Sequence, residues 1–452
     1  MNTHQRIAIL GGGISGLTAA FSLQRQGHQV MVFEASDRPG GVMRTHREQG
    51  WLVEQGPNTV MMRSTKIRDL ITELNLGADL LEAQDTAKKR FIVKDGHPEP
   101  LPMGLMEAIR TPLFSWPAKL GILAEPFRSK WQGPAEESLA HFVERRLGSE
   151  FLDYAINPFV AGVYAGDPAD LSVKHAFVKM YDLEQKYGSL IGGAVLGAKE
   201  RKSRPDRPED GATMFSFNQG LDTLPHKLAE RLGKQLKLRH PVKCVKRQPE
   251  GYQVITAHDG KTQSHHFDRV ISTIPPHRIE DVTWKMELAE LLPTLTEITF
   301  PPVTSLSLGF RREAVQHPLD GFGMLVPEKE PFKILGALFV SSIFEGRAPE
   351  DHVLITVFVG GARYPSLATE TEEQIRKTVL RDLNTLLDIN EQPVFEKFSF
   401  WPQAIPQYEM GYGRYKELME TIERANPGFE FLGNYKNGIA VPDCIVAGLD
   451  VE

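Results

Sequence analysis

Cysteine is nearly absent: the 452 residues hold two, Cys244 and Cys444, far apart in sequence. Two such thiols give neither a disulfide framework nor a metal-ligand spacing. Also missing is any run of about 18 uncharged apolar residues, so no membrane-spanning segment is expected. Excess positive charge is absent too. Against 58 Asp and Glu stand 52 Lys and Arg, a net charge of −6, which argues against a general nucleic-acid binder. There is no internal repeat and no low-complexity tract. MNTHQR runs straight into an apolar stretch, so no leader peptide is expected and the cytoplasm is the expected location. What is present is ample core-forming material, 41% hydrophobic residues, in a length that suggests about three domains.

The chain is organised around its opening. Arg6–Leu10 is almost wholly apolar, as a strand buried on both faces of a parallel sheet should be. Three glycines follow: Gly11 for a tight turn, Gly13 for close approach to a pyrophosphate, Gly16 for helix–strand contact. Residues 15–26, from Ser15, read as a helix ended by Gly27, and its free N-terminal amides and positive dipole end suit a diphosphate. A second strand, residues 30–33, delivers Glu34, whose carboxylate can accept from both ribose hydroxyls. Next come Arg38, Gly40, Gly41 and Arg44, then Gly56, Pro57 and Asn58. This E-x-x-x-R-x-G-G-x-x-R pattern resembles that of amine-oxidase-like flavoproteins. A free nicotinamide dinucleotide needs no second glycine loop, so permanently held FAD is the expectation.

Further along, residues 64–81 read as an amphipathic helix or helix pair, and 88–96 as a basic strand ending in a turn. Residues 101–127 interleave Met, Leu, Ile, Phe and Trp with Arg110 and Lys119 and are broken by prolines at 112, 117 and 126. They suit either helices that dip into one membrane leaflet or a lid over a pocket. Residues 199–210, charged throughout and carrying two prolines, read as a solvated boundary loop. Residues 215–275, with one strand at 237–246 and a hairpin at 252–267, read as a return to the nucleotide-binding sheet. Strands at 304–310, 332–339 and 352–358 and a helix at 372–387 read as a second, mostly antiparallel sheet roofing a pocket. The expected class is α/β (α+β overall). A Rossmann-type FAD-binding domain (1–85, 211–280, 406–452) is joined by an antiparallel-sheet substrate domain (86–100, 281–405) and a helical lid or membrane-association domain (101–210).

Taken together, GGGISGLTAAF, FEASDRPGGVMR, EQGPNT, KKRFIV, NPFVAGVYAGDPADLSVKHAF, SSIFEGRAP, VGGAR, WPQAIPQY and FLGNYKNGIAVPDCI are similar to the protoporphyrinogen oxidase family in its long plant and bacterial form. The resemblance covers nearly the whole chain, and the Val-Tyr-Ala-Gly-Asp segment and SSIFEGRAP are its narrowest signatures. It implies six-electron oxidation of a porphyrinogen, with hydride passing to flavin N5 and oxygen or another acceptor reoxidising the flavin. Arg90 matches a propionate-binding arginine, and Leu325 and Phe344 match pocket-wall positions. Val242 resembles the position that meets the adenine, and Thr273 lies in a strand typical of these flavoproteins. Gly433, Asn434, Val441 and Pro442 match the closing motif at the ribityl chain and flavin carbonyls. That motif implies non-covalent attachment, since neither cysteine is placed for a bond.

No catalytic acid or base stands out; His141, His175 and His277 are candidates by residue type alone. A coproporphyrinogen oxidase and a non-catalytic flavin-containing tetrapyrrole carrier are the competing readings. Whether Lys88, Lys89 or Lys186 face inward bears on the first of these. The expected partners are a porphyrinogen, a peripheral membrane surface at the inner face of the cell membrane, a ferrochelatase that takes the insoluble product, and a second copy of the chain.

Overall fold

The computed structural model describes residues 4–133, 136–197 and 212–452, and the charged stretch 199–210 lies outside them. Five parallel strands form the first sheet, in the order Leu236–Lys237, Gln29–Phe33, Arg6–Leu10, Arg269–Ser272 and Phe429–Phe431. Ile7 to Leu10 are fully buried, because a parallel sheet's central strand is covered on both faces. Helix Ile14–Arg25 covers one face, burying Leu17, Ala20 and Leu23. Each fully buried leucine contributes about 1.5–3 kcal/mol. The final helix, Val441–Leu449, packs on that helix so closely that Gly448 leaves no room for a Cβ against Thr18. Ser22 Oγ donates to Leu449 O (2.9 Å) and Gln26 Nε2 to Val451 O (2.8 Å), tying the short closing helix down.

Three sequence expectations are corrected here. The hairpin Gly251–His258 and Lys261–Phe267 does not join the parallel sheet; it forms a separate four-stranded sheet with Val242–Gln248 and Thr283–Lys285. Strand Gly251–His258 alternates half-buried and buried residues, which suits a sheet with one wet face. The single strand at 237–246 is broken, because Arg239 turns to φ +57° and Pro241 cannot donate to a ladder. Within 64–81, Ser64 caps a helix at Thr65–Glu73, Asn75 (φ +57°) ends it, and Leu80–Glu82 is a strand.

The second large sheet has seven strands, in the order Phe395–Trp401, Val303–Arg311, His352–Gly360, Gly336–Leu338, Gly323–Leu325, Phe91–Lys94 and His97–Pro100. All pairs are antiparallel except Gly323–Leu325 with Phe91–Lys94. Residues 332–339 yield only the three-residue strand Gly336–Leu338. Helix Glu372–Leu387, opened by a Thr371–Gln374 capping box, covers one face and buries Ile375, Val379, Leu383 and Leu386 against Ile355, Val357 and Leu306. The other face looks toward the glycine loops.

Short helices form a third layer: Leu105–Arg110, Trp116–Leu123, Leu139–Leu147, Asn157–Tyr164, Val178–Tyr187 and Leu190–Leu196. A fully buried Arg146–Glu125 ion pair ties them together. Glu125 also accepts from Ser189 Oγ (2.6 Å) and Leu190 N (2.9 Å), and Arg146 donates to Gly188 O (2.9 Å), so the buried charges are satisfied. On the outside of this layer Met103, Met106, Trp116, Leu120, Leu123 and Phe127 are exposed, Phe127 by 91%. Among the described residues no helix is long and apolar enough to cross a membrane.

Candidate functional site

Two glycine loops meet at the C-terminal edge of the parallel sheet. Gly11, at φ +113°, turns the chain out of the first strand, and Thr273 Oγ1 packs where its side chain would be. Thr273 in turn donates to Leu10 O (2.9 Å). Gly13 caps helix Ile14–Arg25 without a side chain, and a Cβ there would meet nothing within 4 Å. The helix N-terminus is therefore open to a close-lying anion. Gly16 and the buried Ser15 lie in its first turn. Gly40 N donates to Gly12 O (2.8 Å), Gly13 bridges Gly40, and Gly41 lies against Gly13. Arg38 braces the second loop by donating to Gly41 O (2.5 Å) and Pro39 O (3.2 Å).

Glu34 stands at the end of the second strand. Its Oε2 accepts from Gly12 N (2.6 Å) and its Oε1 from Ser36 N (2.8 Å). His240 N donates to Glu34 O (2.8 Å), which brings buried Val242 to the same corner. On the far side, Gly56 has no room for a side chain against Val42 O, and Asn58 Nδ2 donates to Gly56 O (3.0 Å). Asn58 Oδ1 is buried without a partner. Gly433 takes φ +147°, Asn434 O accepts from Tyr408 OH (2.5 Å), and Val441 with Pro442 opens the helix that packs on Ile14–Arg25. Burial pushes the Cys444 thiol up to about 11, which keeps it unreactive.

Facing these loops is the open side of the seven-stranded sheet. The register aligns Ser399, Ser305, Phe358, Gly336, Leu325 and Ile92 in one cross-strand row. Leu338 and Thr356 lie one row away on the same face. Phe358, Leu338 and Leu325 are half-buried, with the side-chain-free Gly336 between two of them. The sheet is joined to the loop after Glu54 by Trp401 Nε1 donating to Gln55 O (2.7 Å) and Gln55 Nε2 to Ser399 Oγ (3.2 Å). Helix Asn157–Tyr164 lies over the row at Leu325, held by Arg363 Nη2 donating to Asn157 Oδ1 (2.7 Å) and Gln407 Nε2 to Tyr164 O (2.7 Å). The result is an apolar wall with a helix above it and glycine loops opposite.

Of the expected wall residues, Leu325 is in the row. Phe344 lies outside the row: it is buried with Ala87 and Ile343 and packs against Phe322 and Leu338, because it follows the helical turn Val340–Ile343 rather than lying in a strand. Phe358 occupies the row instead. Sequence reasoning missed it, although the alternation in His352–Gly360, with Ile355, Val357 and Val359 turned to the core, singles it out. Arg90 is exposed two residues before Ile92, its guanidinium 5.5 Å from the Phe322 ring. Lys88 and Lys89 are paired with Asp85 and Asp320 (2.6 Å each), and Lys186 lies over the Tyr187 ring. His141 and His175 bond Glu137 and Glu136, and His277 packs edge-on to Phe300.

The family model of flavin-containing amine oxidoreductases matches residues 14–451. The chain is 34% identical to protoporphyrinogen oxidase 2, chloroplastic/mitochondrial, of Arabidopsis thaliana, over 98% of this chain and 92% of that one. It is 29% identical to the coproporphyrinogen III oxidase of Bacillus subtilis (strain 168), over 98% and 96%. Its fold matches a solved structure from Exiguobacterium sp. 255-15, provisionally named a protoporphyrinogen oxidase, with TM-score 0.80, 26% identity and coverage of 99% and 97%.

Proposed function

The chain belongs to the flavin-containing amine oxidoreductase family, and from that premise we propose that it is an FAD-dependent oxidase of protoporphyrinogen IX, yielding protoporphyrin IX. One observation carries the reading: Phe358 and Leu325, half-buried on either side of Gly336, share a row with Ser399, which bonds Gln55 just before Gly56, and the exposed Arg90 guanidinium lies near the other end of that row. A porphyrinogen is a bent apolar macrocycle with anionic propionates, and such a wall and cation suit it. Arg90 supplies bidentate geometry for a propionate, which a lysine would not.

The residues of the glycine loops fit a dinucleotide flavin. Gly13 and Gly41 leave backbone exposed where a pyrophosphate would lie, and Glu34 stands where a ribose would. The orphaned Asn58 Oδ1 awaits a donor. With the Cys444 thiol buried and unreactive, attachment is non-covalent. When bound, FAD supplies the two-electron acceptor, and oxygen is the oxidant that restores it. Three rounds remove the six electrons and six hydrogens that separate porphyrinogen from porphyrin. The chain's part is positioning: the wall fixes the macrocycle's plane, Arg90 fixes its rotation, and helix Asn157–Tyr164 excludes water. No side chain is assigned as acid or base: His141 and His175 are bonded to Glu137 and Glu136, and His277 packs edge-on to Phe300.

This reading divides the chain as its sheets do, with the parallel sheet for flavin, the seven-stranded sheet for substrate and the short helices as cover. The exposed Trp116, Leu120, Leu123 and Phe127 support a helical layer that rests on the inner face of a membrane, where an insoluble product can leave. Lys88 and Lys89, each held by an aspartate, favour a substrate with two propionates over coproporphyrinogen with four. The test is direct. Purified protein with FAD and oxygen should turn colourless protoporphyrinogen IX into red-fluorescent porphyrin, faster than it oxidises coproporphyrinogen III. The reverse preference would transfer the assignment to coproporphyrinogen, and no fluorescence with either would leave a carrier.

A further inference from the structure

Helix Asn157–Tyr164 is eight residues long and carries no charged side chain, so on its own it would be marginal in water. The carbonyls at its C-terminal end have no partner within the helix and are met from outside it. Gln407, 2% exposed, donates from Nε2 to Tyr164 O (2.7 Å) and Ile405 O (3.0 Å). Ala362 N donates to Ala165 O (2.7 Å), and Gly361, at φ +66°, lies so near that Ala165 O fills the place of a side chain. The next residue, Arg363, reaches the opposite end of the helix. Its Nη2 donates to Asn157 Oδ1 (2.7 Å) and its Nη1 to Val326 O (2.8 Å). One guanidinium thus joins the helix's first residue to the residue that follows Leu325. Both acceptors are neutral, so the contacts are directional hydrogen bonds rather than an ion pair. Asn157 is engaged further by Glu328, whose N donates to Oδ1 (3.0 Å) and whose Oε2 accepts from Nδ2 (3.2 Å).

We propose that Arg363 is a positioning residue for the macrocycle: by bracing helix Asn157–Tyr164 against Val326, it sets the height of the cover over Leu325. The inference rests on the porphyrinogen reading above. Between the two braced ends Gly162 sits on Leu325 with no room for a Cβ. That contact limits how closely helix and row can approach, and the bonds from Arg363, Ala362 and Gln407 keep them from parting. An arginine suits the task because its planar fork serves acceptors on two elements at once, whereas a lysine ammonium is a point donor. Arg363 acts through the helix and needs no contact with substrate. Without its donors the N-terminal end of the helix loses its tie to Val326, while the C-terminal end keeps Ala362 and Gln407. The helix then tilts away from Leu325 rather than detaching. The tie between Ser399 and Gln55 on the flavin side is untouched, so substrate binding suffers more than turnover.

Two readouts separate the brace from the substrate reading. The first is amide hydrogen exchange on the purified, FAD-loaded protein. Arg363→Met keeps the side chain's length without its donors; exchange over residues 157–164 should quicken ~10-fold or more, while His352–Gly360 keeps wild-type protection. The second is steady-state oxidation of protoporphyrinogen IX. Arg363→Met should raise KM ~10-fold and leave kcat within about twofold of wild type. Arg363→Lys, which keeps one donor group, should fall between the two. Asn157→Ala removes the acceptor and should raise KM at least as much as Arg363→Met. The double variant should go no further than Asn157→Ala, since both changes break the same bond. If Arg363→Met folds poorly, Asn157→Ala carries both measurements. Unchanged exchange over the helix would overturn the brace. Faster exchange with an unchanged KM, or additive losses in the double variant, would overturn the positioning role and leave the porphyrinogen reading intact. A wild type that oxidises neither porphyrinogen would sink that reading and the substrate role with it, while the exchange result still decides the brace.

Discussion

Gly162 lies against Leu325 so closely that a Cβ on the glycine would collide with Leu325 Cδ2. This contact is where the covering helix Asn157–Tyr164 meets the cross-strand row at Leu325, and the glycine sets how near they come.

Gly162→Ala should therefore act on substrate more than on stability. In a helix the exchange gains up to ~1 kcal/mol of propensity. The colliding atom is the end of a flexible side chain, so Leu325 is displaced into the chamber rather than the backbone breaking. The expected result is a melting temperature within a few degrees of wild type, unchanged FAD content, and a several-fold higher KM for the porphyrinogen. Steady-state kinetics beside thermal melts check it; an unchanged KM would remove Gly162 from the chamber.

Arg90→Ala should raise the porphyrinogen KM about 10- to 100-fold, the loss of a charge-assisted bidentate contact worth roughly 1.5–3 kcal/mol. The flavin absorption spectrum should not change, since Arg90 lies on the sheet rather than at the glycine loops. Arg90→Lys should recover only part of the loss. Equal KM values for wild type and Arg90→Ala would place the propionate elsewhere.

Glu34→Ala removes the acceptor of two backbone amides, those of Gly12 and Ser36, besides the expected ribose partner. FAD affinity should fall at least tenfold, by about 1.5–3 kcal/mol. Equilibrium dialysis against FAD measures it. Full flavin loading after purification of the variant would contradict the ribose role.

Stability should fall as pH rises from about 5 to 8. In the unfolded chain Glu54 titrates near 4.5, whereas in the fold burial raises it to about 7. Between those values the native state holds the extra proton, so each step up in pH favours unfolding. The effect amounts to about 3 kcal/mol at most and levels off above neutrality. Urea midpoints of wild type and Glu54→Gln across this range should converge at pH 5 and diverge at pH 8, the variant being the more stable.

What the sequence determined by itself is the nucleotide end. Arg6–Leu10, Gly11, Gly13, Gly16 and Glu34 act through local geometry, since strand, turn and helix follow within thirty residues and each spacing has one compact solution. The capped helix Glu372–Leu387 was legible for the same reason. The row proposed as the substrate wall was not. Phe358, Gly336, Leu325 and Ile92 become one row only through the pairing register of four strands separated by long stretches of chain, and the parallel pairing that brings in Ile92 leaves no mark in either segment. Phe344 carries the same apolar character as Phe358, yet it follows a helical turn and is buried outside the row, against Phe322 and Leu338. The raised proton affinity of Glu54 is likewise a product of packing, because a carboxyl group's proton affinity is set by what surrounds it in space and not by its neighbours along the chain.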